Sequence, residues 1–195
     1  MKLKLGLFAF NSMGGISLLK KNLWNANWNE IENLVKKAEQ NSFNFILPLS
    51  KITGWKGKKN PHGFAYETFV MSAGLINITK KINIISTIHI PLTHPVHAAK
   101  ICKSLIAINK GKAGRIYINL VAGCVKTDLE IFNLENFKLK EKYKIASDWI
   151  KLFKKSITAE KPFNANYEHF KGKNIVADVN RKVKAVPKII SAGYS

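Results

Sequence analysis

The chain has 195 residues, of which 46% are hydrophobic and 10% aromatic, with 32 Lys and Arg against 12 Asp and Glu, for a net charge of +20. That is enough apolar material for a buried core, which excludes a disordered tail, and the length fits a single domain over 1–195. No apolar run approaches the roughly 18 residues that span a bilayer, and the two cysteines, Cys102 and Cys124, cannot build a disulfide scaffold.

Only Arg115 and Arg181 among the basic residues are arginine; the rest are lysines spread from Lys2 to Lys188. Lys, Asn and Ile are all abundant and share A/T-rich codons, so base composition accounts for this charge without a partner. A nucleic-acid face more often uses Arg, whose fork reads phosphates and base edges. Nucleic acid is therefore not the expected partner, and a basic nucleic-acid-binding module is kept as the alternative that charge alone motivates.

Lys2 and Lys4 precede the apolar Leu5–Phe10, but Asn11 follows at once and no small-residue cleavage site comes after. The segment reads as a buried first strand over Leu3–Phe10, in a cytoplasmic protein with reduced cysteines. Gly14 and Gly15 break that strand. From Trp28, apolar residues at Ile31, Leu34, Val35 and Ala38 predict a helix. Phe45–Leu49 is a second short strand, and Gly54, Gly57, Pro61 and Gly63 mark a loop. Glu67–Thr79 reads as a helix and Ile82–Ile90 as a β-branched strand. Pro95 starts a helix that runs to Ile108. Ile116–Val121 is a strand ended by Gly123. Glu141–Ser156 predicts a helix with Ile145, Ala146, Trp149, Ile150, Leu152 and Phe153 on one face. Pro162–Val186 accommodates a hairpin, and Ile189–Ala192 is a last strand.

This alternation predicts an α/β fold, a parallel sheet whose strands are buried on both faces. An open doubly wound sheet and a (β/α)8 barrel both fit. No G-x-G-x-x-G follows the first strand, which weakens the dinucleotide-binding form of the open sheet. In both architectures ligands bind at the C-terminal ends of the strands. Those ends carry Ser50 and Lys51, then His89, His94 and His97, then Asn119 and Cys124, then Gly193-Tyr194-Ser195. The three histidines have no acidic residue among them, so packing and capping are expected rather than metal. Cys124 has no legible activating partner and reads as a small buried residue. Gly111–Arg115 precedes a strand, so it is a basic turn rather than a phosphate loop. No residue is singled out as catalytic.

Several segments together resemble the luciferase-like, flavin-dependent monooxygenases, in the branch of the alkanesulfonate, dimethyl-sulfone and pyrimidine-ring enzymes. Phe45–Lys51 leading into Gly54-Trp55-Lys56-Gly57 is similar to the family's second strand and glycine loop. Thr87–Lys100 resembles its third strand and following helix, Gly114–Gly123 its fourth strand, and Ser191–Ser195 its fifth-strand ending. The resemblance covers essentially the whole chain in order.

The resemblance implies a (β/α)8 TIM-barrel type fold, truncated here after about five strands. It implies FMN, reduced by a partner flavin reductase, with O2 oxygenating a small organic substrate, in a homo-oligomer. By the same resemblance, Ser50 and Lys51 line the flavin ring and Asn119 contacts the flavin, while Tyr143 and Ser195 serve its phosphate. Asp128 stands where the family usually has Glu, Lys142 where it has Arg before the Tyr, and Cys124 where it has Trp. The short chain and these departures make a non-catalytic remnant a further alternative.

Overall fold

A computed structural model describes residues 3–15, 24–54, 62–134, 139–177 and 186–191. The five strands β1 (Gly6–Phe8), β2 (Phe45–Leu47), β3 (Asn83–His89), β4 (Ile116–Val121) and β7 (Lys188–Ser191) form one sheet in the order β1-β2-β3-β4-β7. β1 pairs parallel with β2 (Gly6 beside Phe45), and β2 pairs parallel with β3 (Phe45 beside Asn83). Helices α1 (Trp28–Gln40), α2 (Thr68–Ile78), α3 (Pro95–Ile108), the short α4 (Lys126–Ile131) and α5 (Lys142–Thr158) fall between the strands. Between α5 and β7, β5 (Phe163–Asn166) and β6 (Lys171–Ile175) make an antiparallel hairpin. The predicted α/β class with a parallel sheet is what the chain adopts.

The first three helix starts have local causes. The Asn27 side chain accepts from the Glu30 N–H at 2.9 Å and opens α1. The Glu67 carboxylate accepts from Phe69 and Val70 N–H at 2.9 and 2.7 Å and opens α2. Pro95 occupies the first turn of α3, where its missing N–H costs nothing. Five consecutive residues in the middle of β3 are buried, as a strand covered on both faces requires. β1 departs from the expected buried strand, because Leu5 and Phe8 are each 50% exposed. The reason is its outer position in the sheet, where among the described residues one side of the strand has no neighbouring strand.

The chain groups into two compact units, Met1–Thr87 with Arg115–Ile118, and Ile88–Gly114 with Asn119–Ser195. In the first, Ile31, Val35, Ile46, Leu75 and Ile84 are fully buried. A Cβ on Gly74 would sit 2.6 Å from the Trp28 ring, so α2 carries glycine where that ring lies against it. Glu39, at the end of α1, accepts from the Lys80, Lys81 and Ile82 N–H groups at 2.7–2.9 Å. Arg115 donates to Thr79 Oγ1 and to the Ile76 carbonyl, both at 3.1 Å.

In the second unit α5 buries Ile145, Trp149, Leu152, Phe153, Ser156 and Ile157. Ala146 and Ile150, expected on the same face, are only half-buried and sit at its margin. The Trp149 ring stacks on Phe153 at 5.2 Å, and its indole N–H donates to the Thr93 carbonyl at 2.7 Å. Cys102 is buried on α3, and burial pushes its thiol far above the usual cysteine range, so it is inert packing. No helix among the described residues is long and apolar enough to cross a membrane.

Candidate functional site

The candidate residues stand where strands end and helices begin. In the first unit, Ser50 and Lys51 follow β2 and are half-buried. Their segment is held by Asn11, a fully buried side chain after β1. Its amide donates to the Leu49 and Tyr66 carbonyls at 2.9 and 3.0 Å and accepts from the Leu49 N–H at 2.7 Å. Gly54 follows with φ +69°, and a Cβ there would lie 2.5 Å from the backbone of His62 and Gly63. Only glycine fits that close approach. Trp55, Lys56 and Gly57 of the glycine loop lie outside the described residues.

In the second unit the end of β3 is tied to the segment after β4. The His89 ring, through Nδ1, donates to the Gly123 carbonyl at 3.1 Å, so the proton of that bond sits on Nδ1. Asn119 lies on β4 at 7% exposure. Asp128 lies in the first turn of α4 at 2% exposure, and the Cys124 thiol donates to it at 3.8 Å. Cys124, expected to be buried, is half-exposed at this strand end.

Lys142 and Tyr143 open α5. The Lys142 ammonium lies 5.1 Å from the Tyr143 ring centroid, and Tyr143 is 56% exposed. The residue preceding α5, Glu141, makes no side-chain cap to its first turn. The ammonium and the phenol stand side by side as two donors suited to an anion. Ser195 lies outside the described residues, so its predicted place is not part of this geometry. The structure thus joins His89 with Gly123, Cys124 with Asp128, and Lys142 with Tyr143, while Ser50 and Lys51 belong to the other unit.

Of the histidines after β3, His89 and His94 have structural work. His94 caps α3 by accepting from the Val96 N–H at 3.3 Å. Burial, and then the neighbouring His97, hold the His94 imidazole below its usual titration range. Among the described residues no group of three or more His, Cys, Asp or Glu could hold a metal ion.

Two features escaped the sequence. Asn11 follows a strand end like the other candidates, and that position was its only signal. The His169 ring meets two carboxylates, Asp148 at 2.9 Å and Glu141 at 3.7 Å, across sequence separations that no local pattern reveals.

The fold has counterparts. A pyrimidine monooxygenase, RutA, of Pseudomonas savastanoi pv. phaseolicola is 28% identical over 165 residues, covering 83% of this chain and 44% of the relative. The structure of EDTA monooxygenase EmoA from Chelativorans sp. BNC1 superposes with a TM-score of 0.82 at 14% identity, over 100% of this chain and 50% of that one. Riboflavin lyase RcaE, solved with modified FMN and riboflavin, gives 0.81 at 18% identity, over 100% and 51%. The chain therefore spans about half the length of the proteins it matches. The parallel sheet and its helices match the fold of these structures, and residues 3–195 match the family described as luciferase-like monooxygenase, to which this chain belongs.

Proposed function

We propose that this chain carries the flavin-binding part of a reduced-FMN-dependent monooxygenase acting on a small organic molecule. The observation that carries this reading is the start of α5. Lys142 and the exposed Tyr143 stand side by side on its first turn, and their ammonium and hydroxyl fit the phosphate of FMN. The buried Asn119 on β4 supplies an amide that can both donate to and accept from the ring system of a flavin. Ser50, Lys51, Asp128 and Ser195 are assigned to the same cofactor by the family resemblance. When bound, FMN reduced by a separate reductase supplies the electrons with which O2 oxygenates the substrate.

The residues of the chain bind and orient. Lys142 offsets phosphate charge, and the Tyr143 hydroxyl donates to a phosphate oxygen. Asn119 would orient the ring from a strand position whose neighbours Ile118 and Leu120 are buried, which limits access of water. Lys142 provides a point charge where the resemblance has an Arg fork, so its grip on phosphate is less directional.

Titration of the purified chain with FMN, oxidised and reduced, at physiological salt tests this reading. Saturable binding is expected, weakened about tenfold or more by Asn119→Ala and by Tyr143→Phe, the loss of one hydrogen bond to a charged or buried group. Equal affinity in parent and both variants would overturn the assignment.

A further inference from the structure

We propose that the outward face of α5 is an electrostatic guide that draws the phosphate of FMN toward Lys142 and Tyr143. The inference rests on the flavin reading above and adds how the anion arrives. After Tyr143, the exposed residues of α5 are Lys144, Ser147, Lys151, Lys154, Lys155 and Thr158. Their spacing places them on one side of the helix, opposite the buried Ile145, Trp149, Leu152 and Phe153. Tyr143 lies on the same side, one turn before Ser147. From Lys144 to Lys155 the face runs about 16 Å.

Negative charge on this helix is confined to Asp148, which accepts from His169 at 2.9 Å and lies 3.5 Å from Lys151. Glu141, before the helix, meets His169 at 3.7 Å, and Glu160 follows the helix end. The Lys155 ammonium rests over the Phe163 ring of β5 at 4.3 Å. Like charges three and four residues apart destabilise a helix, and Lys151, Lys154 and Lys155 are so spaced. All three are exposed, so core packing does not require them. Base composition does not account for this asymmetry, because glutamate also has A-rich codons. Helix α1 carries Glu30, Glu32 and Glu39 beside Lys36 and Lys37, with Glu32 and Lys36 paired at 3.3 Å.

A surface of one sign raises the local concentration of an oppositely charged ligand and speeds its association. The phosphate monoester of FMN carries about two negative charges. Lysine ammoniums are hydrated point charges without the fork of arginine, so they attract the phosphate without trapping it. The line of charge leads to the start of the helix, where Lys142 and the Tyr143 hydroxyl stand together.

Stopped-flow mixing of the full chain with FMN tests the guide by separating association from dissociation. The combined variant Lys144→Gln, Lys151→Gln, Lys154→Gln and Lys155→Gln should slow association about tenfold at low salt, the lower end of electrostatic steering, with the dissociation rate unchanged. Two single variants separate the face from the net charge of +20. At about 0.01 M salt, charges act over about 30 Å, and Lys144→Gln and Lys155→Gln should both slow association. At about 0.1 M the reach falls to about 10 Å. Lys155 lies about 20 Å along the helix from Lys142, so only Lys144→Gln should then slow association, about twofold. These single variants carry the test if the combined one fails to keep the parental circular dichroism. Saturable FMN binding with parental association rates in the variants overturns the guide and leaves the flavin reading standing. Equal slowing by the two single variants at about 0.1 M salt also overturns it, because net charge alone would then be acting. Absence of saturable FMN binding in the parent overturns the flavin reading and the guide with it.

Discussion

The Asp148 carboxylate accepts from His169 twice, from the ring Nδ1–H at 2.9 Å and from the backbone N–H at 3.3 Å. One side chain of α5 thus fixes the turn of the β5–β6 hairpin. The His169 hydrogen bond, outweighing burial, holds the Asp148 carboxyl below the usual carboxylate range, with Lys151 assisting. A depressed carboxylate pKa contributes stability above the ordinary carboxylate range, lost as pH falls through the folded value. His169→Ala is expected to lower stability by about 1 kcal/mol, the modest figure for a partly solvated pair. That corresponds to a melting temperature about 2–4 °C lower. The variant should also lose stability less steeply on acidification, which calorimetry between neutral and acid pH would measure.

Glu39 joins the end of α1 to the segment before β3. Burial opposes its ionisation, but three backbone N–H groups and the Arg115 guanidinium outweigh burial and hold its carboxyl below the usual range. Its contribution is therefore present near neutral pH and lost as pH falls through that lowered value. Glu39→Gln keeps the shape and removes the charge. It should destabilise by about 1.5–3 kcal/mol near neutral pH, the range for hydrogen bonds to a charged group, and by less in acid. Urea unfolding at two pH values would check the difference.

Trp149 is the largest fully buried side chain among the described residues. Trp149→Ala should cost about 3–5 kcal/mol through lost contacts and a cavity. Trp149→Phe keeps a ring against Phe153 but leaves the Thr93 carbonyl without its donor, and should cost about 1–3 kcal/mol. Denaturant unfolding followed by circular dichroism would order the two variants, with the Phe form between parent and Ala form.

Asn11 satisfies three backbone groups of two other segments. Asn11→Ala strands those groups at a buried position, at about 1–3 kcal/mol. The loss should concentrate locally, so hydrogen exchange at the Leu49 amide should accelerate more than exchange at Ile84 in β3. Uniform acceleration at both would contradict a local role.

Long, strongly patterned elements were legible in the sequence. α3 begins and ends where Pro95 and the apolar run to Ile108 predicted, and β4 occupies the predicted Ile116–Val121. The hairpin was foreseen only as a region, because Lys171–Ile175 mixes polar and apolar residues with no clear alternation. α4 was missed, since six residues give a helical period too few turns to register. β1 looked buried because its apolar run is continuous, and composition alone does not say which strand lies outermost. The candidate positions at strand ends and helix starts were readable, because the α/β pattern itself says where to look. The partners of His169 were not, because Asp148 lies 21 residues away.

The outer placement of β1 has a colloidal consequence. Leu3, 80% exposed, and Phe8 lie beside a strand edge that can recruit another strand. Copies of a +20 chain repel one another at low ionic strength. Added salt shortens that repulsion to about 8 Å at physiological strength and leaves the apolar edge unopposed. The chain should therefore concentrate best in dilute buffer and scatter more light as salt rises, with Lys4 beside the strand and the other lysines acting as its gatekeepers.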